Sequence, residues 1–188
     1  EFYMQIEYKK GDIWESDSQA LVNAVNCVGI MGAGLAKQFK TKYPNMYKHY
    51  KDSCNKGYLS IGKLCCFKEK NKIIINFPTK IHWKNSSQLS FIDKGLDALI
   101  LAIYKYDIKS ISIPMLGCGL GQLKKEDVHL LIINKLSKAL KDKQIIVRIY
   151  LKKRGYIMKK MYIKRKYHIN EVKFIPWTDY LNKTLEKD

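Results

Sequence analysis

The sequence predicts a layered α/β domain, on three observations. Short β-branched runs alternate with longer stretches of helical period. Several of the short runs are apolar throughout, as strands covered on both faces are. Two glycine-rich segments each follow a strand-like run and lead into a helix-like one. At 188 residues the chain has room for one domain with a tail, but not for two full domains.

The elements follow in order. Met4-Gln5-Ile6-Glu7-Tyr8 alternates like a strand, and residues 20–25 (ALVNAV) read as a buried one. Leu35 and Phe39 share a helical face just past Gly32-Ala33-Gly34. A second helix opens at Pro44, whose fixed φ suits a first turn, and ends near Gly57. Residues 63–67 and 72–77 are two further strands. Leu89, Ile92, Leu96, Leu99, Ile100 and Ile103 recur at three-and-four spacing, which predicts a helix over 88–106. Ser110 to Pro114 is a strand ended by proline. Glu126 and Asp127 supply first-turn acids to a helix running to about Leu140, and residues 144–150 (QIIVRIY) close the pattern as a strand. The domain is therefore expected over 4–152. Residues 153–188 mix lysines and arginines with Tyr156, Tyr162, Tyr167, Phe174 and Trp177 without a clear period, and read as a basic-aromatic C-terminal extension.

Composition narrows the function classes. The net charge is +18, and half of that excess lies in residues 141–188, which carry 14 basic and 5 acidic groups. Such a balance suits a polyanionic partner such as nucleic acid. A base composition rich in A and T would also produce it, since only Arg148, Arg154 and Arg165 are arginines. No apolar stretch reaches the roughly 18 residues of a membrane span, and no secretory leader opens the chain. Cys27, Cys54, Cys65, Cys66 and Cys118 are odd in number and scattered, so neither a disulfide framework nor a zinc site is expected. The expectation is a cytoplasmic protein with no metal, no cofactor and no membrane partner.

The chemistry should sit at the glycine segments, residues 26–34 (NCVGIMGAG) and 114–121 (PMLGCGLG). Glycine lets a ligand approach the backbone closely, and amides exposed at a helix start favour an anion. Both loops leave the carboxyl ends of strands, where open α/β sheets bind ligands. Together they could hold a diphosphate, although turn glycines alone would also explain either one. Neither matches GxxxxGK[ST] nor GxGxxG, which disfavours an NTPase or a dinucleotide oxidoreductase. Asp12 follows Gly11 at the end of the first strand, Asn23 and Asn26 flank the first loop, and Lys80 lies just past a Pro78 turn, ahead of His82-Trp83. His82 and His129 read as packing or surface histidines, Cys118 as a small apolar residue, and Met31 as packing under the first loop. Trp83 is open between a core role and stacking on a nucleobase.

Gly11-Asp12-Ile13, residues 22–26 (VNAVN), residues 31–36 (MGAGLA), residues 76–80 (NFPTK) with His82-Trp83, and residues 117–121 (GCGLG) resemble the macrodomain family. The resemblance spans about residues 4–150 and is strongest to the DarG-type antitoxin branch, with the terminal ADP-ribose protein glycohydrolases alongside. It implies a three-layer α/β/α macrodomain with a mixed central sheet, binding ADP-ribose. It further implies an ADP-ribosyl glycohydrolase acting on a modified nucleobase, ADP-ribosylated thymidine in single-stranded DNA, with an ADP-ribosyltransferase toxin as partner. A non-catalytic ADP-ribose reader, or a hydrolase of ADP-ribosylated protein side chains or of a small ADP-ribose derivative, are the alternatives.

By the same resemblance Asp12 meets the adenine amino group with Ile13 beside it, and Asn23 supports the first loop. Gly29, Ile30, Met31, Gly32 and Ala33, together with Gly117, Cys118, Gly119, Leu120 and Gly121, wrap the diphosphate and distal ribose. Lys80 and Asn26 form the catalytic pair, Asn26 at the distal ribose and Lys80 at the anomeric carbon. A lysine is a poor nucleophile at its ordinary pKa near 10.4, so Lys80 either forms a covalent adduct after desolvation or stays charged and stabilises the departing base. Gly121 stands where the terminal glycohydrolase branch has an acid that helps release such an adduct, which makes the DarG-type arrangement the closer match.

Overall fold

The computed structural model of the chain describes residues 4–151 and the backbone of 171–174. Among these residues seven strands form one sheet: β1 (Gln5–Lys10), β2 (Ala20–Val25), β3 (Cys65–Glu69), β4 (Lys72–Pro78), β5 (Ser110–Pro114), β6 (Ile146–Leu151) and β7 (Glu171–Phe174), in the spatial order β3-β4-β2-β5-β6-β1-β7. All neighbours pair in parallel except β3 and β4, so the sheet is mixed, as expected. Among the described residues four helices cover it: α1 (Gly34–Lys42), α2 (Pro44–Asn55), α3 (Leu89–Lys105) and α4 (Lys125–Ala139).

Alternation along the strands divides the apolar side chains between two cores. Ala20 and Val22 of β2, Ile75 and Phe77 of β4, and Ile6 and Tyr8 of β1 face α3 and α4, whose Ile92, Leu96, Leu99, Ile132 and Leu136 are buried against them. Leu21 and Val25 point the other way with Ile74, onto Phe39 of α1 and Met46 and Tyr50 of α2. Central strands are thus covered on both sides, which is why their sequences are apolar at consecutive positions. The result is the three-layer α/β/α sandwich.

Several elements differ from the sequence reading: β1 runs on to Lys10 rather than ending at Tyr8, and β6 starts at Ile146 rather than Gln144. β3 starts at Cys65 rather than Lys63, because Lys63 closes a tight turn through its amide to the Ser60 carbonyl at 2.9 Å. A seventh strand, unforeseen in the extension, adds to the free edge of β1 with Gln5 opposite Glu171 and Tyr8 opposite Phe174. The rest of the 153–188 segment lies outside the described residues. Among the described residues no helix is long and apolar enough to cross a membrane.

Parallel pairing has one consequence that matters most. The carboxyl ends of β1, β2, β4, β5 and β6 share one edge of the sheet, so the segments after Lys10, Val25, Pro78 and Pro114 all emerge there.

Candidate active site

The first glycine loop is organised from below by Asn26, which is 8% exposed. Its Oδ1 accepts from the Val28 amide at 3.1 Å and the Ile30 amide at 3.4 Å, and its Nδ2 donates to the Ile30 carbonyl at 2.7 Å. Tyr50 of α2 shares its hydroxyl hydrogen between the Asn26 carbonyl and Oδ1, both at 2.9 Å. Burial raises the Tyr50 phenol far above its ordinary pKa, so it remains a donor. Asn26 thus acts on the loop backbone as a template: one carboxamide fixes two amides and a carbonyl in place.

Gly29, at φ +81°, makes the sharp turn at the loop tip, and the Tyr47 hydroxyl reaches its carbonyl at 3.3 Å. Met31 is buried beneath the loop. Asn23, fully buried on β2, lies under it: Nδ2 donates to Asn76 Oδ1 at 3.1 Å and lies 3.9 Å from the Met31 sulfur. Gly32 and Ala33 lead into α1, and Ala33 brings no capping side chain to its amides. Uncapped first-turn amides with a helix dipole behind them favour an anion.

The second loop folds back on itself. Gly117, at φ +74°, accepts from the Leu123 amide at 2.9 Å, while the Cys118 amide bonds Met115 at 3.2 Å and the Gln122 amide bonds Gly119 at 3.1 Å. The Ser87 amide ties the loop to the segment before α3 through the Gly121 carbonyl at 3.0 Å. Gly121 has no space for a side chain. A Cβ there would overlap the Gly117 carbonyl oxygen and Ser87 Oγ, and would lie 2.9 Å from the Gly117 carbonyl carbon. Leu120 at the tip is 72% exposed. Burial pushes the Cys118 thiol up to about 11, which keeps it protonated and unreactive.

Lys80 bridges the two loops. The chain after β4 continues beside the first loop: the Thr79 amide bonds the Val25 carbonyl at 2.9 Å, and the Cys27 amide bonds the Ile81 carbonyl at 3.0 Å. From that anchored backbone the half-buried Lys80 side chain crosses to the second loop, where Nζ donates to the Leu120 carbonyl at 3.0 Å. Nζ also lies 3.5 Å from the Trp83 carbonyl. Asp12 is exposed at the same sheet edge, in the turn that Gly11 opens at φ +106°, and its carbonyl accepts from the Glu15 amide at 3.0 Å. Ile13 beside it is buried.

The sequence-derived candidates therefore share one end of the sheet, with Asn23, Ile13 and Met31 beneath the surface and Asp12, Ile30 and Leu120 upon it. Of the weaker candidates, His129 is buried with Tyr8 Oη 2.6 Å from its Nε2, and Trp83 is exposed rather than core. Two supporting residues escaped sequence reasoning. Tyr50 is one of 13 tyrosines and lies on a helix 24 positions from Asn26; Ser87 belongs to no motif. Among the described residues no cluster of three histidine, cysteine or acidic side chains could hold a metal ion.

A mixed sheet between helix layers with two glycine loops at one edge defines a fold class, and comparison agrees: the Macro domain family model matches residues 22–132, and the chain belongs to this family. Among characterised relatives, the DNA ADP-ribosyl glycohydrolase of Mycobacterium tuberculosis is 47% identical over 128 residues, covering 66% of this chain and 36% of the relative. A DNA ADP-ribosyl transferase–DNA ADP-ribosyl glycohydrolase fusion protein of Thermosipho africanus is 35% identical over 161 residues, covering 76% of this chain and 40% of its own. The chain thus spans little more than a third of the length of these relatives. Among solved structures, the macrodomain of M. tuberculosis DarG superposes with a TM-score of 0.74 at 41% identity, over 78% of this chain and 97% of the other. T. africanus DarTG in complex with ADP-ribose gives 0.72 at 32% identity, over 86% of this chain and 45% of the other.

Proposed function

We propose that this chain is an ADP-ribosyl glycohydrolase that releases ADP-ribose from thymidine in single-stranded DNA, countering an ADP-ribosyltransferase toxin in the cytoplasm. A relative that is 47% identical to this chain over 128 residues carries the name DNA ADP-ribosyl glycohydrolase. One geometric fact carries the reading: the Lys80 ammonium, rooted beside the first loop, donates to the second loop at 3.0 Å. A diphosphate held by both loops brings its attached ribose to that ammonium.

In this reading Asp12 accepts from the adenine amino group beside Ile13, and the amides of Gly29 to Ala33 and Gly117 to Gly121 hold the diphosphate and distal ribose. Asn23 and Asn26 keep the first loop in shape, with Asn26 nearest the ribose. Among the described residues, the two groups that Lys80 Nζ meets are carbonyl oxygens, acceptors for an ammonium. We therefore assign Lys80 an electrostatic role. Water bonds to the anomeric carbon as the bond from that carbon to the base nitrogen breaks. The electron pair stays on the base nitrogen, whose developing negative charge the ammonium offsets until the proton lost by the attacking water reaches that nitrogen. Net positive charge on the protein favours a phosphodiester substrate over a neutral one.

The test uses an oligonucleotide carrying ADP-ribosyl-thymidine. Lys80→Ala is expected to lose release by about 100-fold or more while ADP-ribose affinity stays within a few-fold; Lys80→Arg keeps the charge and part of the rate. An adduct trapped on Lys80 by borohydride would move its role to nucleophile. Release from modified protein but not from modified DNA would reverse the substrate order, and binding without any release would leave a reader module.

A further inference from the structure

The turn after Lys80 carries side chains that the hydrolysis does not use. Trp83 is 48% exposed, an uncommon state for the largest apolar side chain. His82 stacks against it, with ring centroids 5.3 Å apart and planes at 29°, and Lys84 Nζ lies 5.1 Å from the indole centroid. The turn is pinned: the Asn85 amide bonds the His82 carbonyl at 3.0 Å, and the Lys84 amide bonds His82 Nδ1 at 3.2 Å. The Trp83 carbonyl lies 3.5 Å from Lys80 Nζ, so the residue that carries the indole also meets the ammonium through its backbone. Ile81, two positions before Trp83, and Leu120, whose carbonyl meets Lys80 Nζ, are both more than half exposed. Among the described residues neither Lys80 nor Lys84 is in an ion pair, unlike Lys56, Lys109, Lys135, Lys143 and Arg148.

A rigidly presented indole, a stacked imidazole and a lysine without a carboxylate form the surface that single-stranded nucleic acid uses: every base has a π-face, and every linkage a phosphate. We propose that the His82-Trp83-Lys84 turn is a platform for the strand flanking the modified thymidine, with the indole stacking on a neighbouring base and Lys84 meeting the adjoining phosphate. Lys84 rests over the indole until a strand displaces it. This inference rests on the reading of the cleft as an ADP-ribosyl-DNA site, and adds to it a source of preference for DNA over protein. An ADP-ribosylated glutamate has no neighbouring base to offer.

The experiment measures two ligands separately on the full chain: an unmodified oligothymidylate of about ten nucleotides, and free ADP-ribose. Trp83→Ala is expected to weaken oligothymidylate binding about tenfold, Trp83→Phe to retain most of it, and both to leave ADP-ribose affinity within twofold. Lys84→Ala should lower the salt dependence of oligonucleotide binding by about one charge. With modified substrates, Trp83→Ala raises KM for the ADP-ribosylated oligonucleotide and spares the isolated ADP-ribosyl-thymidine nucleoside. The platform is refuted if Trp83→Ala binds oligothymidylate as the wild type does, or loses ADP-ribose to the same extent. If the wild type releases nothing from DNA yet Trp83→Ala still loses the oligonucleotide, the platform stands and the hydrolase reading falls.

Discussion

Gly121→Ala is the smallest change that should unseat the site without removing any polar group. The added Cβ would overlap Ser87 Oγ and the Gly117 carbonyl oxygen, and would lie 2.9 Å from the Gly117 carbonyl carbon. The serine hydroxyl can rotate away; the peptide of Gly117 cannot. Bringing these atoms to ordinary separations near 3.5 Å requires a loop shift of about 1 Å. The Lys80 Nζ to Leu120 carbonyl bond stands at 3.0 Å, and a displacement of that size breaks it. Overpacking of this kind costs about 1–3 kcal/mol, or a fall in Tm of roughly 2–10 °C for a domain of this size. Thermal melting and calorimetric titration with ADP-ribose on wild type, Gly121→Ala and Gly121→Ala/Ser87→Ala supply the readout. The single variant should melt lower and bind ADP-ribose at least about tenfold more weakly (a loss of ~1.4 kcal/mol). Removing the Ser87 hydroxyl should restore little, because the backbone conflict remains. A variant with wild-type melting and wild-type affinity would show that the second loop is slack, and the argument from its tightness would fail.

Tyr50→Phe removes the donor to Asn26 and leaves a buried carbonyl under-satisfied, so it should cost about 1–2 kcal/mol in denaturant unfolding and weaken ADP-ribose by a few-fold through the first loop; unchanged affinity would separate Asn26 from the loop. Burial holds the His129 imidazole down at about 4. The folded state therefore resists its protonation, and stability should fall as pH drops from about 6.5 towards 4, by up to about 3 kcal/mol. His129→Leu should flatten that part of the pH profile, and an unchanged slope would assign it to other groups. Arg148→Met strands the buried Glu7 carboxylate, which Arg148 Nε meets at 2.8 Å. The loss should reach about 3 kcal/mol, with much of it recovered in the double variant with Glu7→Gln; additive losses would argue against the pair.

Helices were legible where a boundary carries local chemistry. Pro44 opens α2 as its fixed φ requires, and the apolar spacing from Leu89 to Ile103 marks α3. β7 was not legible, because Glu171-Val172-Lys173-Phe174 is short, half charged and stabilised by pairing with β1 rather than by its own pattern. The glycine loops were visible as glycines, but what makes them a cleft was not. Asn26 depends on Tyr50 from another layer of the sandwich, and the closure of the second loop depends on Ser87, 34 positions from Gly121. Both contacts exist only after parallel pairing gathers the strand ends at one edge. Lys80 was singled out by its resemblance to a family pattern and not by its local sequence, since a lysine after a proline turn is ordinary. Its reach to Leu120 is a property of the fold.

The most direct measurement is a crystal structure of the chain with ADP-ribose bound. The account predicts the diphosphate between the two glycine loops, the adenine at Asp12, and Lys80 Nζ within about 4 Å of the anomeric carbon, the separation at which groups act on a reacting centre. An ADP-ribose bound with its distal ribose turned away from Lys80, or outside the two loops altogether, would contradict it.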